Sequence, residues 1–168
     1  MTALLIRPVA PADTHAVLTV LHAAHAANLA NGFNFTAATI TNADLLPRLN
    51  PAHFHVAVSA GRLVGTIEVK PAELLRQWGF YLLAVAPEAA GLGVGKKLIR
   101  YAETMATAAG ATEMTLDTPE GHGWLPAFYA GLGYRQVGTQ QFDGKHYRSI
   151  MMTKALASQA LCAGAPAT

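Results

Sequence analysis

One short stretch limits this chain more than any other. The apolar run Leu83-Ala84-Val85-Ala86 stops at Pro87, Gly91-Leu92-Gly93-Val94-Gly95 follows, and a segment with Val94, Leu98, Ala102, Met105 and Ala109 at helical spacing begins there. Strand, glycine loop and helix in that order make a cradle for an anion. The glycines let successive backbone N–H groups converge without Cβ atoms in the way, and the first helical turn offers unpaired donors and the positive end of its dipole. A phosphate-bearing cofactor is the expected ligand.

Two familiar phosphate loops fit poorly. A P-loop needs four residues between its first glycine and a Gly-Lys-Ser/Thr ending, and no hydroxyl residue follows Lys96-Lys97 to bind magnesium. The Rossmann fingerprint would place glycine where Lys96 stands, and its first glycine lies closer to the strand than Pro87-Glu88-Ala89-Ala90 allows. Asp117, at the end of a second apolar run, imitates the ribose-binding acid of that motif, so a dinucleotide-binding oxidoreductase stays an alternative.

The spaced set Leu83-Ala84-Val85, Pro87, Gly91, Gly93 and Gly95, followed downstream by Phe128-Tyr129 and Gly133-Tyr134, resembles the GCN5-related N-acetyltransferase (GNAT) superfamily. The resemblance runs from about Leu5, where Ile6-Arg7-Pro8 and Ala12-Asp13 look like the family's first strand and helix start, to about Leu156. It implies a single α/β domain with a mixed, mostly antiparallel central sheet and helices on both faces. It also implies a V-shaped splay between the fourth and fifth strands, and acetyl-CoA as co-substrate. One departure is plain: the family usually carries arginine or glutamine where this chain has Ala90.

Composition agrees with one domain. Of 168 residues 52% are hydrophobic, enough for a core, and the formal charge of +2 without a dense basic cluster excludes an obvious nucleic-acid surface. The opening Met1-Thr2-Ala3-Leu4-Leu5-Ile6 is too short for a signal sequence or a membrane span. Cys162, the lone cysteine, suits a reducing cytoplasm. The expected domain covers residues 1–156 and an alanine-rich tail residues 157–168; the sequence leaves a homodimer open.

Periodicity predicts strands over residues 4–7, 54–59, 63–70, 79–85, 114–118, 136–142 and 146–153. Helices are expected from residue 11, over 44–49, 94–109 and 125–132, with a polar and aromatic loop over 28–42.

The resemblance distributes the site. A bulge in the strand ending at Val85 would free backbone groups at Leu83, Ala84 and Val85 for the amide-rich pantetheine arm, and a donor near Val85 would meet the thioester oxygen. The diphosphate would lie on the N–H groups of Gly91, Leu92, Gly93, Val94, Gly95 and Lys96. Ala90 forgoes a charge-assisted hydrogen bond worth roughly 1.5 to 3 kcal/mol. Lys96, Lys97 and Arg100 compensate it electrostatically or simply solvate an exposed helix face.

Tyr129 stands where the family often keeps the tyrosine that protonates departing thiolate; its other reading is a core aromatic beside Phe128 and Tyr134. A phenol of pKa about 10 donates to a thiolate whose acid has pKa about 8.5 with little mismatch. No carboxylate occupies residues 79–85, so the base is sought among Asp117, Glu120, His122, Tyr81 and Glu68. His122 titrates near neutrality and is the leading choice, with binding of the pantetheine arm or a helix cap as its alternative roles. Phe33, Asn34, Phe35 and Tyr81 are expected to face the acceptor, or the loop residues among them to staple the loop to the core. The pairs His22/His25 and His53/His55 each place two ligand-type side chains together, but two do not make a site and no metal is expected.

The expected activity is transfer of acetyl from acetyl-CoA to a primary amine by direct attack in a ternary complex, since the lone cysteine lies far down the tail. A catalytically silent acyl-CoA-binding module is the alternative from another class.

Overall fold

The computed structural model describes residues 3–157; Cys162 and the tail from residue 158 lie outside the described residues. Seven strands form one sheet: β1 (Leu4–Pro8), β2 (Phe54–Ser59), β3 (Arg62–Pro71), β4 (Gln77–Val85), β5 (Glu113–Pro119), β6 (Arg135–Gln141) and β7 (Arg148–Ala155). Their order across the sheet is β1-β2-β3-β4-β5-β7-β6, and every neighbouring pair is antiparallel except β4 with β5. The helices are α1 (Thr14–Ala30), α2 (Thr36–Thr39), α3 (Asn42–Leu45), α4 (Val94–Ala108) and α5 (Leu125–Gly131).

Every expected strand is present within a few residues, and the loop after the first helix proves shorter than expected because α1 continues to Ala30 and α2 occupies Thr36–Thr39. The expected helix over residues 44–49 is split. Pro47 cannot donate to an α-helical ladder, so α3 tightens into a 3-10 turn over Leu46–Arg48.

Residues 64–69 of β3 are buried without a break, the mark of a strand covered on both faces. α4 crosses that strand at Gly65, where an added Cβ would lie 2.9 Å from Leu98 Cδ1 and 3.2 Å from the Ala84 carbonyl oxygen. The glycine therefore sets how closely the helix approaches the sheet. Val94, Leu98, Ile99, Ala102 and Ala106 bury the inward stripe of α4 and leave Lys96, Lys97 and Arg100 exposed. α1 seals the sheet with Val17, Val20 and Leu21.

The parallel pair decides where a cavity opens. Only Gln77–Gly79 of β4 pair with Glu113–Thr115 of β5; beyond Gly79 the two strands part. β4 also carries one extra residue against β3, since Thr66 faces Ala84 while Glu68 faces Tyr81. Leu82 sits at the bulge with φ +46°, a left-handed conformation that costs a non-glycine residue energy and persists because its surroundings hold it. The buried Thr66 hydroxyl donates to the Leu82 carbonyl at 2.8 Å, and His25 Nε2 donates to the Leu83 carbonyl at 3.2 Å. Both bulge carbonyls thus accept from side chains, one from the neighbouring strand β3 and one from α1.

Candidate active site

The split between β4 and β5 opens a cavity of about 950 Å³, at the upper end of the range for small-molecule sites. Leu83, Ala84, Val85, Gly91, Gly93, Val94, Gly95 and Lys96 line one end of it. Gly91 and Gly93 both have φ +77°, and a Cβ built on either meets nothing within 4 Å. The two glycines are needed for their backbone angle and because the space above them is open, which is what a diphosphate on backbone N–H groups requires. Gly93 is the N-cap of α4, so the helix points its unpaired donors into this end of the cavity. Ala90 lines the cavity and is exposed, with no charged group at the position. Lys96 lines it too, whereas Lys97 and Arg100 lie outside it, on the exposed face of the helix.

Leu92 is the member of the expected cradle that stands apart. Its side chain is 71% exposed and borders a separate surface recess with Glu88 and Lys97.

Tyr129 is buried in the cavity wall among Phe80, Phe128 and Tyr134, with ring centroids at 6.0, 5.3 and 6.2 Å. Burial, and then the charge of Asp117, push its phenol well above its usual value. The group is therefore a protonated donor throughout the neutral range. Tyr134, by contrast, gives its hydroxyl to Glu103 at 2.8 Å, and Lys154 grips the same carboxylate, which fixes it as a packing residue outside the cavity.

His122 does not line the cavity. Its Nδ1 accepts from the backbone N–H of Leu125 at 3.3 Å and, at 3.5 Å, faces that of Trp124, so the ring caps the start of α5. Its Nε2 donates to Asn28 Oδ1 at 3.0 Å, and Asn28 Nδ2 donates in turn to His25 Nδ1 at 3.3 Å. With His25 Nε2 on the Leu83 carbonyl, a continuous chain of hydrogen bonds joins the bulge of β4 to the first turn of the helix that carries Tyr129. Both imidazoles are committed as neutral Nε2–H tautomers, and desolvation holds both pKa values below the ordinary histidine value. Of the roles expected for His122, the geometry is that of the cap.

Away from the glycine loop, which follows Val85, the cavity wall also includes Phe35, Thr36, Arg48, Tyr81, Asp117, Phe142, Lys145 and Tyr147, with Tyr81 four residues before Val85 on β4. Among the described residues Asp117 is the only carboxylate on the cavity wall. It is exposed, and Ser149 Oγ donates to its Oδ2 at 2.9 Å. Its charge, after burial, raises the Tyr81 and Tyr147 phenols, the latter to about 12. Glu68 and Glu120, the other carboxylates considered as bases, are elsewhere: Glu68 is buried against Arg48 and Lys70, and Glu120 is exposed beyond the end of β5.

The loop after α1 divides its labour. Phe35 lies on the wall, 4.9 Å from the His25 ring and 5.8 Å from Tyr147. Phe33 covers His122 at 5.0 Å, off the wall. Asn34 clamps the loop to the connection between β6 and β7, donating to the Gly144 carbonyl at 2.7 Å and accepting from the His146 N–H at 2.9 Å. Neither expected histidine pair converges on a shared partner, and His55 is buried with its Nδ1 unpaired among the described residues. His22 donates to the Ile40 carbonyl and His53 to the Val69 carbonyl, and no group of three metal-ligating side chains occurs among the described residues.

Sequence reading missed Arg48, Lys145, Phe142 and Tyr147 as wall residues and took His25 only for a metal candidate. Lys145 reaches the wall because the β6–β7 connection folds back over the α1 loop, bringing together residues about 110 apart in the chain, as in the contact of Lys145 Nζ with the Asn34 carbonyl at 2.9 Å. No local pattern encodes that contact.

The fold is shared with solved acetyltransferases. Ribosomal-protein-S18-alanine N-acetyltransferase from Escherichia coli superposes with a TM-score of 0.75 at 14% identity, over 95% of this chain and 99% of that one. PaiA N-acetyltransferase from Thermoplasma acidophilum, solved with coenzyme A, gives 0.75 at 19% identity over 91% and 99%. N-acetylglutamate synthase from Neisseria gonorrhoeae, solved with coenzyme A and N-acetyl-glutamate, gives 0.75 at 15% identity over 94% of this chain and 36% of that one. No curated protein sequence matches. Splayed sheet, bulge and glycine cradle define a class, the acyltransferases that take their acyl group from acetyl-CoA. The family model for the acetyltransferase (GNAT) domain matches residues 50–136, just over half of the chain, and the chain belongs to that family. No helix among the described residues is long and apolar enough to cross a membrane.

Proposed function

We propose that this chain moves acetyl from acetyl-CoA to a primary amine by direct attack while both substrates are bound. The observation that carries the reading is one cavity with a glycine cradle at one end, a buried phenol on its wall and a carboxylate at the other end. The backbone of Leu83, Ala84 and Val85 receives the pantetheine arm, and the N–H groups of Gly91, Gly93, Val94, Gly95 and Lys96 receive the diphosphate.

Tyr129 serves as the acid; burial lifts its phenol above the ordinary value, so the small mismatch expected of a free phenol widens, and the proton moves only as thiolate charge develops beside it. As the amine nitrogen bonds to the thioester carbon and the carbon–sulfur bond breaks, the phenol gives its proton to the sulfur and regains one from solvent. Asp117 serves at the acceptor end, holding the ammonium and passing its proton to water at the exposed mouth. A lysine-like amine costs roughly 4.6 kcal/mol to neutralise at pH 7, and a peptide α-amine about 1 kcal/mol, so Asp117 has less to do the nearer the acceptor's pKa lies to neutrality. His122 acts as a positioning residue, tying α5 to the bulge. The cavity is built by one chain, so a homodimer is not required for it. The lone cysteine suits a reducing, cytoplasmic setting.

Incubating purified protein with acetyl-CoA and a panel of amines, with thiol release and product mass as readouts, tests the reading. Acetylated amine stoichiometric with free CoA is the expected result. Tight acetyl-CoA binding without turnover on any amine would favour the silent binding module instead.

A further inference from the structure

The acceptor end of the cavity carries more positive charge than its own carboxylate answers. Glu68, 3% exposed, takes Arg48 Nε at 3.1 Å and Arg48 Nη2 on one oxygen and Lys70 Nζ at 3.1 Å on the other. Two cations thus share one buried anion. The pairing also fixes the plane of the Arg48 guanidinium, because both bonds run from the Nε–Nη2 edge. Its Nη1 donors have no partner among the described residues, and the side chain lines the cavity. Lys145 stands on the same wall. It donates only to neutral oxygens, the Asn34 carbonyl and Thr36 Oγ1, each at 2.9 Å, and makes no ion pair among the described residues. Against these cations the wall presents Asp117 alone.

Position separates this charge from the diphosphate cradle. Glu68 pairs across the sheet with Tyr81, and Tyr81 precedes Val85 by four strand steps, about 13 Å along β4. An arginine held there by a buried carboxylate faces the acceptor and not the CoA phosphates.

We infer that the amine acceptor carries a carboxylate, which Arg48 receives through its free Nη1 edge, and that the substrate is a small amino acid with an apolar or aromatic side chain. The inference rests on the acetyl-transfer reading. A guanidinium fork matches a carboxylate in geometry, and its desolvation is already offset by Glu68. A phosphate would fit the fork equally but would set a dianion beside Asp117, a repulsion that a monoanionic carboxylate halves. The ammonium of the same zwitterion faces Asp117, and Phe35, Phe142 and Tyr147 supply the apolar surface for its side chain.

The test compares each of three amino acids with its own decarboxylated amine: phenylalanine with phenethylamine, leucine with isopentylamine, methionine with 3-methylthiopropylamine. A phenylalanyl peptide amide is the seventh acceptor. In the wild-type protein kcat/KM is expected to favour the amino acid about ten- to a hundredfold, the range of one charge-assisted pair. In Arg48→Lys, which keeps a cation for Glu68 but loses the fork, that ratio should fall toward one while KM for acetyl-CoA stays unchanged. Equal rates within each pair, a preference for the peptide amide, or a preference that survives in folded Arg48→Lys would overturn the inference and leave acetyl transfer standing. Calorimetric titration of N-acetylphenylalanine and N-acetylphenethylamine into CoA-loaded wild-type protein gives a readout independent of turnover and of the variant's folding. Tighter binding of the carboxylated compound is expected, and equal binding would overturn the inference. Should no amine be acetylated at all, the transfer reading falls, and the titration still decides whether this end of the cavity recognises a carboxylate.

Discussion

Gly93→Val separates a folding cost from a binding cost at one position. With φ +77° at residue 93, any side chain must adopt a left-handed backbone, which costs roughly 1–2 kcal/mol, and a β-branched one sits at the upper end. A Cβ there meets no atom within 4 Å, so no clash adds to that figure. For a domain of this size each kcal/mol lowers Tm by about 2–4 °C, and a fall of about 2–8 °C is expected. The open space above the glycine is where the diphosphate would lie. Valine there would displace it and forfeit one or two charge-assisted backbone hydrogen bonds, a loss of about 1.5–3 kcal/mol each, or at least tenfold in Kd. Circular dichroism melting and calorimetric titration with acetyl-CoA measure the two effects on one sample. Gly65→Ala is the contrasting variant: its Cβ would press on Leu98, Val94 and the Ala84 carbonyl, so it should melt earlier. Folded Gly93→Val with unchanged acetyl-CoA affinity would refute the placement of the diphosphate.

Tyr129→Phe should lower kcat by about ten- to a thousandfold while sparing acetyl-CoA affinity, and, because the folded phenol titrates above its usual value, the wild-type rate should show no falling limb from this group between pH 7 and 9. Single-turnover rates across that range check both statements. Ala90→Arg should tighten CoA binding, more at low salt than at high, and affinity indifferent to salt would mean that the phosphates do not pass residue 90. His122→Asn keeps a capping oxygen and removes a titrating group, so the transfer rate should survive; loss of activity together with a lost pH limb would restore His122 as base. For stability the sign follows from the depressed folded values of His25 and His122: the unfolded chain binds more protons below about pH 6.5, so stability is full above that pH and falls as pH drops through the folded pKa values. Tm measured from pH 7.5 to 5 should therefore fall less steeply in His122→Asn than in the wild type.

The cradle was legible in the chain because each of its requirements is local. Glycines that take left-handed angles, a proline that ends a strand and an apolar stripe at helical spacing act within a few residues, and each left its mark in the order Val85, Pro87, Gly91, Gly93. Strand positions were equally readable, since runs of apolar and β-branched residues bounded by turn residues are local, whereas Pro47 broke an expected helix into a short α-turn and a 3-10 turn, and α2 formed inside the expected loop. The acceptor end had no such signature. Arg48 became a wall residue because a buried carboxylate 20 residues away holds it. Lys145 joined it because Asn34 and Gly144 meet across 110 residues. His122 caps the start of α5 because its ring finds Leu125 N–H on one side and Asn28, 94 residues distant, on the other. Hydrogen bonding and charge pairing over such separations depend on how the sheet brings loops together, and periodicity, which is local, carries no record of it. Sequence alone determined a strand, a glycine loop with left-handed backbone and the start of α4, in that order; the tertiary structure alone decided which side chains stand beside that loop.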